Sequence, residues 1–321
     1  MQVFGTHPNG RDVHHIQLSD GPLSVSLLTL GAALQDVRLA GVDHSLTLGF
    51  PTLAPYLGPF PHAGTLMGPV ANRIKGACAT IDGETAHFDK NFLSAHTLHG
   101  GSAATHTQVW QVADQTTSAA TLTLALPHGD GGFPGNRTLT ARFDVKGTAL
   151  TLTLTAETDR ATLFNLANHS YWNLGSHPTT LGHTLQVAAD HYLPADETEL
   201  LPFGEIAPVD GTRFDFRAGR AITAGAEGLL DLNLCLSPTR QSLRNVATLT
   251  GPTGITLEMA TTEPGLCFEG ERGIGFGGSP VGGGCGCRAE DMAVEDLEPR
   301  LSGRHLQCDP AGAGERCDVA K

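Results

Sequence analysis

The sequence predicts an all-β chain folded as a large antiparallel β-sandwich. Three observations carry this: apolar residues alternate with polar ones at a period of two, turn-forming residues punctuate the alternating runs, and no long stretch sustains a helical period. Leu23, Val25 and Leu27 share one face and Ser24 and Ser26 the other. The same reading covers Thr121 to Leu126, then Leu139, Ala141, Phe143 and Val145 against Thr138, Thr140, Arg142 and Asp144. In the run from Ala149 to Thr155, Leu150, Leu152 and Leu154 oppose Thr151, Thr153 and Thr155, and threonine suits the outward face of a strand. Turns are marked by Pro8-Asn9-Gly10, by His128 to Gly132 and by Val209-Asp210-Gly211. Helix is expected only as short pieces, such as a turn around Leu53 to Leu57. Strands this numerous must hide their edges by closure or by stacking two sheets, and a sandwich does so. A length of 321 residues exceeds the usual domain, but large all-β architectures run this long as one unit, so a single domain over 1–321 is expected, atypical from about residue 271.

A formal charge of −13, with only 20 Lys and Arg scattered along the chain, argues against a nucleic-acid partner. The first residues, MQVFGTHPNGRDVHHIQL, are too polar for a signal peptide, and no later stretch approaches the apolar length of a membrane span, so a soluble cytoplasmic protein is expected. The seven cysteines form no CxxC pair, which predicts reduced thiols and neither a disulfide framework nor a zinc site. The glycine-rich run 273–287 lacks the flanking strand, helix and lysine of a phosphate loop and reads as a surface loop.

Chemistry concentrates in a few polar clusters. In ANHSYWNLG, Ala167 to Gly175, His169 can move a proton near neutral pH, Asn168, Ser170 and Asn173 can bond hydroxyls, and Tyr171 or Trp172 can lie against a sugar ring. In GPVANRIKGA, Gly68 to Ala77, the guanidinium fork of Arg73 beside Asn72 suits hydroxyl groups, unless it forms a structural ion pair. In TLHGG, His99 precedes two glycines that allow close backbone approach, though a lone loop histidine is more often just solvated. Most acids of the long loop from Asp190 to Arg217 are expected to face water. Asp231 lies in the leucine-rich run Leu230 to Leu232, where a carboxylate must be paired or used. Residue chemistry alone does not rank Glu290, Asp291, Glu295, Asp296 and Glu298 near the end of the chain.

Taken together, ANRIKGA, TLHGG, NHSYWNLG, DHYLPADETELLPFGEIAPVDGTRFDF and TTEPG (Thr261 to Gly265) resemble the aldose 1-epimerase (galactose mutarotase) family, in its order and at about its spacing, over about residues 1–270. The resemblance implies the galactose mutarotase-like sandwich, acting as monomer or homodimer on free aldoses such as galactose and glucose, with no metal or other cofactor. It implies His169 as general acid, His99 and Arg73 as groups that steady the ring oxygen and hydroxyls, and Asn72 and Asp231 as further sugar contacts. Its general base falls on Glu298 in LEPR, with Glu295 and Glu290 as poorer fits. Pro69 and Leu232 replace an arginine and a histidine common in the family, and both changes bear on sugar preference. Between Arg300 and Ala313 the pattern is lost, as a local reading-frame disturbance would produce, before Gly314 to Val319 fits again. The alternatives are a silent or impaired sugar-binding protein of the same fold, a hexose-6-phosphate 1-epimerase, which needs a basic pocket, and a glycoside hydrolase, which needs two carboxylates flanking a bond.

Overall fold

Where a tight turn separates two alternating runs, the runs pair antiparallel. The computed structural model describes residues 1–179, 181–196, 198–223, 230–270 and 287–288. Gln2–Thr6, Asp12–Asp20, Leu23–Leu28 and Ala33–Leu39 form a four-stranded sheet in chain order. Gln111–Gln115, Ala119–Leu126, Arg137–Lys146 and Ala149–Thr158 form a second in the same manner. The register of the last two strands runs unbroken from Arg137 opposite Thr158 to Lys146 opposite Ala149. That register puts Leu139, Ala141, Phe143 and Val145 on one face, all buried, while Thr138 and Arg142 are exposed.

The second half interleaves its strands. One sheet has the order Arg220–Ala221, Thr184–Val187, Arg244–Thr250, Thr256–Thr261. The other runs Ala207–Pro208, His191–Leu193, Leu230–Cys235, Gly265–Gly270, Cys287–Arg288. A single apolar cluster draws on all four sheets, through Leu18 and Val25, Leu139 and Phe143, Leu185 and Leu249, and Leu232 and Leu234. Among the described residues the helical pieces are short 3-10 turns, including Ala54–Leu57 where the sequence predicts one. The all-β reading therefore holds.

Three two-stranded ribbons sit between the sheets in sequence: Leu66–Met67 with Ala167–Asn168, Arg73–Ile74 with Thr97–Leu98, and Cys78–Ile81 with Glu84–His87. The turn from Asp130 to Gly132 braces them, because Asp89 N–H donates to Gly131 O at 3.2 Å. Arg137 holds that turn in place: its buried guanidinium donates to Pro127 O at 2.8 Å and to Asp130 O and Gly135 O at 3.2 Å.

On the surface, Arg217 draws together Asp190, Asp210 and Asp215, so acids expected to face water are ion-paired there as well. Cys235 and Cys267 are in no disulfide, but Cys78 is disulfide-bonded, which corrects the expectation of reduced thiols at that position. Disulfide pairing depends on distance in the fold, which spacing along the chain does not report. Among the described residues no helix is long and apolar enough to cross a membrane.

Phe143 is 1% exposed in the middle of the shared cluster. Truncating it, Phe143→Ala, is expected to lower unfolding free energy by about 3–5 kcal/mol in urea titrations. A loss below about 1 kcal/mol would show that this strand face is not packed core.

Candidate active site

The strands Arg73–Ile74 and Thr97–Leu98, paired as one ribbon, are joined at its end by a reciprocal pair of hydrogen bonds. Asn72 N–H donates to His99 Nδ1 at 3.0 Å, and His99 N–H donates to Asn72 O at 2.9 Å. Both residues have left-handed backbone, φ 62° for Asn72 and 50° for His99, and Gly100 follows at φ 88°. Asparagine tolerates that region, histidine less so, and the strain persists because the paired bonds over-determine it. Gly100 has no such latitude, because a Cβ there would fall on Gly68 O and Pro69 Cδ.

The bond from Asn72 settles the protonation of His99. Burial pushes the imidazole well below the ordinary histidine value, and any positive charge on neighbouring His169, His62, His106 or Arg73 would push it the same way, so the ring is neutral. With Nδ1 accepting from Asn72 N–H, the single ring proton lies on Nε2. His99 is thus a neutral N–H donor, not the solvated loop histidine that its spacing also allowed; it is 7% exposed.

Arg73 follows Asn72 in the same turn. Its Nη1 donates to Asn72 Oδ1 at 2.9 Å, its Nη2 lies 3.8 Å from Asp231 Oδ2, and its guanidinium carbon stands 4.8 Å from the centre of the Phe92 ring. Both ends of the ion pair are nearly buried, with side chains 10% and 11% exposed. Asp231 is therefore the paired carboxylate that its apolar neighbours call for. Arg73 Nε is buried with no hydrogen-bond partner among the described residues. Asn72 Nδ2 also lies 3.7 Å from Cys267 Sγ.

His169 enters from the other ribbon, held by its backbone: its N–H donates to Thr65 O and its carbonyl accepts from Gly64 N–H, both at 2.9 Å. Its ring meets those of His99 at 5.8 Å and Tyr171 at 5.0 Å between centres. Two histidines not anticipated from the sequence complete the group. His62 lies 5.0 Å from His99, 4.9 Å from His106 and 5.1 Å from His169. His106 is held neutral, its value lowered to about 3 by burial first and then by the neighbouring His62 and His169. Neither stands in one of the clusters singled out from the sequence, since His62 sits in Phe60-Pro61-His62-Ala63 and His106 between Thr105 and Thr107; only the fold assembles them.

The other polar residues of the ANHSYWNLG stretch bond within the protein. Asn168 Nδ2 donates to Gly64 O at 3.0 Å, Ser170 Oγ donates to Asn168 Oδ1, and Asn173 Nδ2 donates to His177 O at 2.7 Å. Trp172 packs in the main apolar cluster and Tyr171 in a second one with Leu30 and Tyr56. Buried backbone groups need partners, and these amides and hydroxyls supply them. The structure thus brings Asn72, Arg73, Asp231, His99 and His169 together. Glu298, Glu295 and Glu290 lie outside the described residues, as do 301–313 and the glycine-rich run up to residue 286.

Two outcomes follow. Gly100→Ala is expected to destabilise the fold by more than about 1 kcal/mol and to disturb His99, seen as a lowered melting temperature; an unchanged melt would show that the turn has room. For the buried His99 and His106, folded-state values below the ordinary 6.5 mean that the unfolded chain binds more protons on acidification. Their contribution is fully present above about 6.5 and declines as pH falls below it, by up to roughly 1.4 kcal/mol per pH unit for each. Denaturation midpoints that stay level from pH 7 to pH 5 would contradict this.

Comparison with known proteins agrees with the geometry. The family described as Aldose 1-epimerase matches residues 14–272. Galactose mutarotase from Rattus norvegicus is 33% identical over 276 residues, and the human one 32%, each match covering 83% of this chain and 80% of the relative. Among solved structures, a GalM/aldose epimerase homologue from C. elegans superposes with a TM-score of 0.76 at 26% identity, covering 87% of this chain and 89% of that one. Galactose 1-epimerase from Lactobacillus acidophilus NCFM gives 0.75 at 27% identity, covering 91% and 90%. With the motifs gathered in one buried cluster and the match spanning most of its length, this chain belongs to the aldose 1-epimerase family and is an isomerase of the mutarotase kind.

Proposed function

We propose that the protein interconverts the α and β anomers of a free hexose, galactose or glucose, with His169 as general acid and Glu298 as general base. The observation that carries the reading is the buried cluster in which His99 is fixed as a neutral N–H donor beside His169, with Arg73 bonded to Asn72 and paired with Asp231. Opening the pyranose ring needs a proton delivered to the ring oxygen while the anomeric hydroxyl loses one. His169 delivers that proton. His99 Nε2–H steadies the ring oxygen as charge builds on it, and the unmatched Arg73 Nε donates to a ring hydroxyl. The anomeric proton goes to the base, the first carbon–carbon bond rotates, and the ring recloses on its other face with both transfers reversed.

A neutral pocket suits an uncharged sugar. Lys75 and Lys90 are exposed, and Arg73 is already engaged by Asn72 and Asp231, which disfavours a hexose 6-phosphate. No metal or nucleotide enters the scheme, and either a cytoplasmic monomer or a homodimer accommodates it. We further infer one domain over 1–321 with its sheets stacked as a large antiparallel sandwich, because one apolar cluster draws on all four sheets.

Polarimetry of freshly dissolved α-D-galactose, and separately α-D-glucose, tests the reading: acceleration well above the buffer rate is expected. Saturable galactose binding without acceleration would favour a silent sugar-binding protein instead. Glu298→Gln and His169→Gln are each expected to lower kcat by roughly a hundredfold or more with the fold intact. Near-normal turnover in Glu298→Gln would move the base to Glu295.

A further inference from the structure

His62, His99 and His169 converge from three separate loops, and one ring nitrogen of each lies within 4.8 Å of the others. Their ring centres are 5.0, 5.1 and 5.8 Å apart. Three imidazoles bound to one zinc ion at about 2.0–2.1 Å per bond set their ring centres roughly 5 Å apart, so small side-chain shifts would close this set. The group contains imidazole alone and no carboxylate, which selects zinc, cobalt, nickel or copper over magnesium or calcium. His62 is half-buried while the other two are buried, which gives an ion an approach from the His62 side.

We propose that His62, His99 and His169 form a binding site for a borderline divalent transition-metal ion such as zinc, and that the ion and the sugar-ready arrangement exclude one another. The exclusion follows from His99. In the arrangement described, its Nδ1 accepts from Asn72 N–H and its proton is on Nε2, so the lone pair an ion needs is on the wrong side. Coordination through Nε2 moves the proton to Nδ1, sets two N–H groups against each other and releases the Asn72 bond. Closing the three-imidazole set therefore comes at the expense of the Asn72–His99 bond, which keeps affinity below that of a structural zinc site. With His169 and His99 engaged by the ion, neither reaches a ring oxygen. The ion is an inhibitor here and not a cofactor. This inhibition rests on the reading of His169 as the acid, whereas ion binding does not.

The test uses the full chain and cobalt(II) or zinc as the probe, without sugar. Titration with cobalt is expected to give one equivalent of bound ion with intense visible absorption of low-coordinate geometry, and His62→Gln is expected to weaken binding at least tenfold with an unchanged circular dichroism spectrum. Because that variant can misfold, X-ray absorption of the zinc-loaded wild type provides a second reading: two or three imidazole nitrogens at about 2.0 Å are expected. One imidazole or none, or undiminished affinity in a folded His62→Gln, overturns the site. Mutarotation is followed separately with and without chelator. Zinc inhibition that chelator reverses is expected, and a zinc-saturated enzyme at full rate overturns the exclusion while leaving the assigned reaction untouched.

Discussion

Two hydrogen bonds between Asn72 and His99 set the chemistry of the site. They join the turn that carries Arg73 to the turn that carries His99, and they need left-handed backbone at both residues. Once they form, the orientation of the imidazole, its charge and the position of its proton are fixed together. An N–H donor held in this way, away from water, is already aimed before a sugar arrives, and no reorganisation is needed when charge develops on the ring oxygen.

The surroundings of that pair are arranged to keep it so. His62 meets the rings of His99, His106 and His169, and burial together with these neighbours holds His99 and His106 neutral. His106, neutral far into the acid range, occupies space next to His62 without adding charge. On the other side the charges balance: Arg73 faces Asp231 and the ring of Phe92, so the cation is matched before substrate binds. The turn from Asp130 to Gly132, tied down by Arg137, backs the His99 loop and transmits the rigidity of the long central strands to it.

Much of this was legible in the sequence. Period-two runs such as Leu139 to Val145 located strands because burial on one face of a sheet selects for alternation, and Asp231 stood out because a carboxylate between leucines needs a partner. What stayed hidden depends on the third dimension. His62 and His106 lie in unremarkable surroundings along the chain and meet only through the ribbons. Asn168 and Ser170 looked like sugar ligands by type, yet the carbonyl of Gly64 and the need to satisfy buried polar groups claimed them for the scaffold. The bond at Cys78 had no signature in spacing, and the interleaved order of Thr184–Val187 with Arg244–Thr250 is set by pairings remote in sequence.

The most direct test of the account is the tautomer of His99, read from the nitrogen chemical shifts of both ring positions in protein labelled with nitrogen-15 histidine at pH 7. A neutral ring with its proton on Nε2 and an unprotonated, hydrogen-bond-accepting Nδ1 is the predicted result. A proton on Nδ1, or a charged imidazolium, would contradict it, because Asn72 N–H would then have no acceptor there and the donor that the site is built around would not exist.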